Sequence, residues 1–229
     1  MYLSWDKKTI SDFSADNINA TYALGYLFTR LGKGAMIQTR SVRIDLASFQ
    51  LSSENRRILK KTAGLTATSI QLSAFSYDWR IGKMAKDFYE TKFGPGTFSA
   101  NKAKELLTEP DKSNFNRLLV YKQSPSPLGE GRGEVGYAIA LETPELIHYA
   151  YPFYDLKPNT YNLTPNPNTG LGMMLRAILY AQDSGKKFIY LGSAQRPSDT
   201  YKLQFSGLEW WDGVVWQTDG EKLKAVLKA

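Results

Sequence analysis

The chain of 229 residues contains no cysteine and a single histidine. Without cysteine there is no disulfide, no thiolate metal ligand and no cysteine nucleophile. The single histidine, His148, excludes a metal site built from several histidines, and a Ser-His-Asp triad would have to use it. His148 lies in a strand-like apolar run, so we expect a structural residue there. We expect neither a metal nor another cofactor.

Long apolar segments are also missing. No run approaches the roughly 20 apolar residues of a transmembrane helix, so no membrane partner is expected. The first residues lack a basic segment followed by an apolar one, so no secretory signal is expected. Together with the missing cysteines, these absences predict a cytoplasmic protein.

Positive charge, in contrast, is in excess. The formal net charge is +7, and basic residues recur in adjacent pairs. Arg56 and Arg57 are followed four residues later by Lys60 and Lys61, so the four lie on one broad face of a predicted helix. Such residues bind phosphates with release of counterions. A solvated basic surface explains the same pairs equally well, so both interpretations stay open.

Hydrophobic periodicity and turn residues divide the chain into short elements. The predicted helices are Ile18 to Arg30, Asn55 to Thr62 with Ser52 as N-cap, Asp78 to Phe93, Ser99 to Leu107 with Ser99 as N-cap, Leu171 to Asp183 and Glu221 to Ala229. The predicted strands are Ser41 to Leu46, Ala67 to Ser76, Asn116 to Gln123, Val135 to Glu142, Leu146 to Tyr154, Phe188 to Leu191, Tyr201 to Phe205 and Gly213 to Gln217. Residues 124 to 134 are rich in Pro and Gly and predict an inserted loop. Because strands and helices do not alternate strictly, we predict an α+β fold with a mixed, mostly antiparallel sheet flanked by helices, as in GNAT acyltransferases.

The last quarter of the chain carries the clearest functional pattern. An apolar strand, Phe188 to Leu191, ends at Gly192, and Tyr201-Lys202 follows nine residues after that glycine. We expect the strands Phe188 to Leu191 and Tyr201 to Phe205 to be neighbours that diverge at one end. Diverging strands expose backbone N–H groups, which suits an acyl-transfer site.

Three groups of residues resemble the aminoacyl-tRNA–protein transferases. They are Tyr22 to Arg30 with Ser41 to Leu46 and Phe49 to Lys60, then Tyr137 to Leu141 with Tyr149 to Leu156, and finally Tyr190-Leu191-Gly192 with Tyr201-Lys202, Gly213 and Trp216. The chain departs from the family pattern in lacking the cysteine pairs before the first strand, in Leu156 where the family has Pro, and in Ser193 where it has an aromatic residue. The resemblance implies a reduced N-terminal region, 1–62, and a GNAT-like transferase domain, 63–229.

The resemblance implies transfer of arginine or leucine from charged tRNA to the N-terminal α-amine of a protein that begins with an acidic residue. Such tagging directs the acceptor to degradation through the N-degron pathway. Because the ester is already activated, positioning and oxyanion stabilisation should dominate. The implied catalytic residues are Tyr201, Lys202 and Asp155. The implied substrate-binding residues are Arg43, Tyr154, Tyr190, Leu191, Gly192 and Ser193, and the implied tRNA-binding residues are Arg56, Arg57, Lys60 and Lys61.

Two other functions stay open from the sequence. Asn168 to Gly172 precedes a helix, and a glycine-containing helix start binds the pyrophosphate of acetyl-CoA in N-acetyltransferases. Pro167 stands where such a motif needs Arg or Gln. A non-catalytic tRNA- or RNA-binding domain on a transferase scaffold would keep the four basic residues, while Tyr201 and Lys202 would have no catalytic role.

Overall fold

The computed structural model describes residues 3–123, 134–156 and 167–228. The strands are β1 (Asp6–Thr9), β2 (Tyr26–Phe28), β3 (Ala35–Gln38), β4 (Ser41–Asp45), β5 (Leu65–Gln71), β6 (Arg117–Gln123), β7 (Glu134–Glu142), β8 (Leu146–Tyr154), β9 (Phe188–Ser193), β10 (Leu208–Trp211) and β11 (Trp216–Gln217). The helices are α1 (Ala15–Ala23), α2 (Ser53–Lys61), α3 (Trp79–Phe93), α4 (Ala100–Thr108), α5 (Thr169–Asp183) and α6 (Gly220–Lys228). Two 3-10 helices cover Leu72–Ala74 and Pro197–Gln204.

Helix boundaries follow from short polar caps. The hydroxyl of Ser52 accepts a hydrogen bond from Asn55 N, and that of Ser99 accepts one from Lys102 N, as predicted. The Asp78 carboxylate caps α3 through Arg80 N. Each cap satisfies an N–H that the first helical turn leaves unpaired. At its other end α3 stops at Gly94, whose φ of 97° favours glycine.

The predicted helix from Ile18 to Arg30 is wrong beyond Ala23. Helix α1 ends there, and the chain turns at Gly25, which has a φ of 78° and lies against the ring of Trp211. A side chain at position 25 would collide with that ring. The next three residues form strand β2, which pairs with β3.

The predicted strand from Tyr201 to Phe205 is also wrong. These residues belong to the 3-10 helix Pro197–Gln204 and its C-cap. Proline suits the first turn of a helix, and the Asp199 carboxylate accepts hydrogen bonds from the backbone N–H groups of Gln195 and Arg196. The neighbours of β9 are therefore β8 and β4, and the expected pair of diverging strands is absent from the described residues. The strand predicted from Gly213 is reduced to β11, and β10 was not predicted. The predicted loop at 124 to 134 lies almost wholly outside the described residues.

The chain forms two compact units. The first comprises residues 1–56, 141–150 and 178–229. It contains the small sheet β1-β3-β2. It also contains five neighbouring strands in the order β11-β10-β4-β9-β8, of which β8 belongs to this unit with its first half only. Its core is built from apolar side chains of these strands and of α1, among them Tyr22, Val42, Ile44, Ile189 and Trp210.

The second unit comprises residues 57–140 and 151–177. Its strand order is β8-β7-β6-β5, with the second half of β8. Helices α3 and α4 contribute Ala85, Ala103 and Leu106 to its buried core. Because each unit collects separate stretches of chain, the boundary after residue 62 stays a prediction.

Strand directions confirm the predicted fold class, an α+β fold with a mixed, mostly antiparallel sheet. The pairs β5–β6, β6–β7, β4–β9, β4–β10 and β10–β11 are antiparallel, and β8–β9 is parallel. A parallel pair needs a long crossover, and α5 lies between β8 and β9 in the chain. Among the helices that the structure describes, none has the length and apolar character to cross a membrane.

Candidate acyl-transfer site

Strand β9 is distorted at its C-terminal end. Its parallel pairing with β8 covers three residue pairs and ends at Tyr190, although β9 continues to Ser193. On the other side, Ser41 of β4 pairs with Ser193 and Arg43 pairs with Tyr190. Leu191 and Gly192 therefore oppose the one residue between them on β4, which is a β-bulge. A bulge leaves the backbone groups of one residue outside the ladder and re-aims its neighbours.

Gly192 makes this bulge possible. Its φ is 78°, a conformation that residues with a side chain rarely adopt. Among the described residues, apart from Gly192 and its two chain neighbours, no heavy atom lies within 4 Å of the position that a Cβ would occupy, so the backbone at Gly192 faces open space. The sequence pattern predicts exposed backbone donors at Leu191, Gly192 and Ser193. Gly192 and Ser193 are partly exposed, whereas Leu191 is buried, and the donor role of these residues stays a prediction.

Lys202 reaches this strand end from the 3-10 helix. Its side chain is buried, with 5% of its surface exposed. Its Nζ donates a hydrogen bond to the Ser193 carbonyl oxygen at 2.7 Å. Burial lowers the pKa of Lys202 to about 8, although the nearby Asp199 carboxylate acts in the opposite direction. The ammonium thus fixes the peptide that follows the bulge, and it stays mostly charged at neutral pH.

Tyr201, the neighbour of Lys202, is 40% exposed. Its surroundings raise the pKa of its hydroxyl to about 12, first through partial burial and then through the charge of Asp199. The hydroxyl therefore keeps its proton at neutral pH and can act as a hydrogen-bond donor. Tyr201 lies on the 3-10 helix Pro197–Gln204 and not on the predicted strand.

His148 lies deep in the first unit. Its Nδ1 shares a hydrogen bond of 2.9 Å with the Tyr22 hydroxyl, which also accepts one from Phe28 N. Burial, and secondarily the charge of Lys202, lower the pKa of His148 to about 3. A histidine with so low a pKa is a poor general base at neutral pH. The geometry therefore suits the structural role expected of His148.

Arg43 is buried on β4, with 8% of its surface exposed. Its Nε donates to Glu209 Oε2 at 2.6 Å, and its Nη1 donates to the Tyr190 hydroxyl at 3.2 Å. The guanidinium carbon lies 3.8 Å from the ring centroid of Phe188 and 3.9 Å from that of Trp216. Glu209 and Tyr190 face Arg43 across the neighbouring strands, so strand register brings the group together. Since Glu209 already neutralises Arg43, this arrangement favours support of the sheet over capture of an acidic substrate.

Two predicted site residues lie at the end of β8, in the second unit. Tyr154 packs its ring against Phe88, at 4.8 Å between centroids, and burial raises the pKa of its hydroxyl. Asp155 is exposed, and its backbone N–H donates to Val135 O at 3.0 Å. The roles predicted for Tyr154 and Asp155 stay predictions.

The four basic residues predicted to contact tRNA lie on helix α2. Arg56, Arg57, Lys60 and Lys61 are exposed, whereas Ile58 is buried. The hydrophobic side of the helix faces the core, and the basic side faces solvent. This arrangement meets the geometric condition for a phosphate-binding face, and the role itself stays a prediction.

The glycines proposed to bind acetyl-CoA have packing roles. A Cβ at Gly172 would lie 2.8 Å from the Thr62 hydroxyl, and one at Gly170 would lie 3.3 Å from the Tyr154 ring. Arg176 of α5 also donates to the Thr62 carbonyl and, at 2.9 Å, to the Thr62 hydroxyl. Close packing against these neighbours explains both glycines without a bound pyrophosphate.

The residues that hold the strand end were not predicted from the sequence. The amide side chain of Gln195 bonds to the Leu3 backbone and to the Thr39 hydroxyl, and Asp199 caps the 3-10 helix. The cap formed by Asp199 could have been predicted from the Pro-Ser-Asp segment, which is typical of a helix start. Across the residues with described positions, no group of three or more Asp, Glu or His side chains is arranged to hold a metal ion.

Comparison with solved structures finds similar chains at low identity. The GCN5-related glucosamine N-acetyltransferase region of a fungal multi-domain β-N-acetylglucosaminidase has a TM-score of 0.46 at 11% identity, over 89% of this chain and 22% of that one. L-PGS from Bacillus licheniformis has a TM-score of 0.44 at 14% identity, over 93% and 69%. At these scores the likeness supports no conclusion about activity.

Comparison of sequences is more informative. No protein-family model matches the chain. Aspartate/glutamate leucyltransferase from Ruegeria pomeroyi is 26% identical over 191 residues, covering 81% of this chain and 65% of the relative. The same-named protein from Dinoroseobacter shibae is 26% identical over 188 residues, covering 79% and 63%. The chain thus spans slightly less than two thirds of these relatives. It is a distant homologue of proteins named aspartate/glutamate leucyltransferase, in agreement with the transferase resemblance of its motifs.

Proposed function

We propose that this protein is an aminoacyltransferase that moves leucine from charged tRNA to the α-amine of a protein whose first residue is acidic. The observation that carries the proposal is the similarity to aspartate/glutamate leucyltransferases over about four fifths of the chain. Arginine, the other amino acid considered from the sequence, has no such support. Tagging of the acceptor for degradation, in the cytoplasm, is part of the same proposal.

The proposed reaction requires little covalent chemistry from the protein itself. The acceptor α-amine attacks the carbonyl carbon of the aminoacyl ester, a C–N bond forms, and the bond to the 3′ oxygen breaks. The amine loses a proton, and the 3′ oxygen gains one. An α-amine has a pKa of about 8, so a substantial fraction is already neutral near a pH of about 7.5. Orientation and stabilisation of the oxyanion therefore determine the rate.

The end of β9 supplies groups suited to these tasks. The bulged backbone at Leu191 and Gly192 would donate to the oxyanion, and Lys202 would hold the following peptide in place through Ser193. The Tyr201 hydroxyl, which keeps its proton, would donate to the leaving 3′ oxygen. This assignment needs no metal or organic cofactor.

The donor can be tested with the purified chain. The protein is incubated with an Asp-starting peptide and, in parallel, with leucyl-tRNA, arginyl-tRNA or acetyl-CoA. We expect a modified peptide with leucyl-tRNA and a much smaller yield with the other two donors. Modification by acetyl-CoA alone would favour an N-acetyltransferase. tRNA binding without modification by any donor would favour a non-catalytic RNA-binding domain.

The basic face of α2 should contribute to tRNA binding through phosphates. Replacing Arg56, Arg57, Lys60 and Lys61 with Ala should weaken tRNA binding. It should also flatten the slope of log Kd against log salt by about 0.7 to 0.9 for each phosphate that the variant no longer neutralises. The measurement is a filter-binding or fluorescence titration of charged tRNA at several salt concentrations.

A matched variant controls for the change in net charge. Lys83, Lys86, Lys222 and Lys228 lie on α3 and α6 and not on α2, and replacing them with Ala removes the same number of charges. We expect this variant to keep a salt slope close to that of the unchanged protein. Equal slopes for the two quadruple variants would mean that the α2 face is a solvated surface with no specific role in tRNA binding.

A further inference from the structure

Arg40 is a cation for which the described chain supplies no acidic partner. It lies between β3 and β4 and is partly exposed. No carboxylate in the described segments forms an ion pair with it, and partial burial alone lowers the pKa of its guanidinium. Its Nε is buried without a hydrogen-bond partner among the described residues. The hydrogen bond from its Nη1 to Ala194 O is long, at 3.4 Å.

This incomplete pairing is unusual for a guanidinium that is partly removed from water. An arginine presents five N–H donors, and burying them is unfavourable unless they are paired. Arg43, three residues later, shows the ordinary solution, with Glu209 on one side and Tyr190 on the other. Arg40 therefore retains unused binding capacity for an anion.

Arg40 also lies at the proposed acyl-transfer site. Its carbonyl accepts a hydrogen bond from Ala194 N at 2.8 Å, and the next residue, Ser41, pairs with Ser193. The backbone of Arg40 thus lies beside the chain just past the end of β9, and its Nη1 contacts the Ala194 carbonyl, two residues after Gly192. Because the residue is partly exposed, an anion beside the strand end can reach its outer nitrogens.

We propose that Arg40 binds the side-chain carboxylate of the acceptor's first residue and so sets the preference for Asp or Glu. This assignment depends on the proposed transfer reaction and adds the residue that recognises the acceptor. A carboxylate matches the planar fork of the guanidinium, which binds it through two parallel hydrogen bonds. In an N-terminal aspartate the α-amine and the side-chain carboxylate are only a few bonds apart. A carboxylate held by Arg40 therefore places the amine beside the bulged strand.

The test compares two peptides that differ only in a first residue of Asp or Asn. In the unchanged protein we expect kcat/KM for leucyl transfer to favour the Asp peptide. Arg40→Gln should reduce that preference by about 10- to 100-fold, the range for hydrogen bonds to a charged group. The effect should fall on KM for the Asp peptide, while transfer to the Asn peptide stays nearly unchanged. Arg40→Lys, which keeps the charge, should retain part of the preference.

An arginine that already has an acidic partner serves as the control. Arg80→Gln removes an exposed arginine that already pairs with Asp78, and it should leave the Asp-to-Asn preference intact. Equal reduction with both peptides in Arg40→Gln, accompanied by weaker tRNA binding, would assign Arg40 to a phosphate and overturn the proposal. An unchanged preference in both Arg40 variants would overturn it too. If Arg40→Gln does not fold, the Asp-to-Asn preference of Arg40→Lys is the deciding measurement. A reduced preference supports the proposal, and an unchanged preference contradicts it.

The failure of this assignment can be told apart from failure of the proposed function. If the unchanged protein transfers leucine to neither peptide, the proposed function fails. Calorimetric titration with the Asp and Asn peptides then tests Arg40 alone. Tighter binding of the Asp peptide that disappears in Arg40→Gln would support carboxylate recognition, and equal binding of the two peptides would contradict it.

Discussion

Replacing Lys202 with Met should lower leucyl transfer to an Asp-starting peptide by about a hundredfold, the usual effect of removing one electrostatic stabiliser. Lys202 Nζ holds the Ser193 carbonyl at 2.7 Å, directly after the bulge at Gly192. Without this bond and its charge, the backbone donors proposed at the bulge would no longer be held in a fixed orientation. Steady-state kinetics with leucyl-tRNA measure the effect, and it should appear mainly in kcat.

Stability should change much less than activity in Lys202→Met. The pKa of Lys202, lowered to about 8 from its ordinary 10.5, means that the folded protein disfavours the ammonium form. Below a pH of about 8 the charge is present in both the folded and unfolded states, and its unfavourable burial is felt in full. Methionine removes that burial cost while it leaves Ser193 O without this donor, so the two effects oppose each other. A folded variant with full activity would refute the role of Lys202.

The pH profile separates a role of the charge from one of shape. As pH rises through about 8, Lys202 gives up its proton, so the activity of the unchanged protein should fall on the alkaline side. His148 and Asp199 are the titratable groups whose charges couple to Lys202 in the described structure. His148 is already neutral in this range because its pKa is lowered to about 3. Lys202→Arg keeps its charge, so any activity that it retains should lack the alkaline fall. Identical pH profiles for the unchanged protein and Lys202→Arg would show that loss of the Lys202 charge does not cause the alkaline fall in activity.

Replacement of Arg43 should have the largest effect on stability. Arg43→Met should lower the free energy of unfolding by about 3 kcal/mol, because it leaves the mostly buried Glu209 carboxylate without its partner. It also removes the guanidinium stacked between the rings of Phe188 and Trp216. Chemical denaturation monitored by tryptophan fluorescence measures the change.

A double variant provides the control. Arg43→Met with Glu209→Met replaces the whole ion pair by apolar side chains, so the unpaired charge is gone and much of the stability should return. If the single and double variants are equally unstable, the packing of Arg43 on the two rings outweighs its pairing with Glu209. If Arg43→Met is as stable as the unchanged protein, the pair contributes nothing.

Local signals in the sequence were sufficient for much of the fold. Ser52 and Ser99 cap their helices as predicted, and the run Leu146 to Tyr154 is a strand over those same residues. Prediction failed where long-range contacts override a local pattern. Gly25 follows the first helix with a positive φ, and Trp211, far away in sequence, fills the space that a side chain there would need. Residues 201 to 205 alternate like a strand, but the Asp199 cap and the bond from Lys202 to Ser193 favour a 3-10 helix.

The candidate site was predictable in position and not in detail. Gly192 at the end of an apolar strand, followed by Tyr201-Lys202, indicated the region. The β-bulge depends on the register between β4 and β9, which no local pattern reveals. In the same way, Arg43 and Arg40 look alike in the sequence. Only the fold gives Arg43 a partner in Glu209 and leaves Arg40 without an acidic one in the described part of the chain.

The most direct test of the central claim is identification of the product by mass spectrometry. The purified protein is incubated with leucyl-tRNA and an Asp-starting peptide, either with a free α-amine or with that amine acetylated. We predict that one leucine becomes attached through a peptide bond to the free α-amine, and that the acetylated peptide stays unmodified. Absence of leucine from the free peptide, under conditions in which the protein is folded and binds charged tRNA, would contradict the proposed transfer.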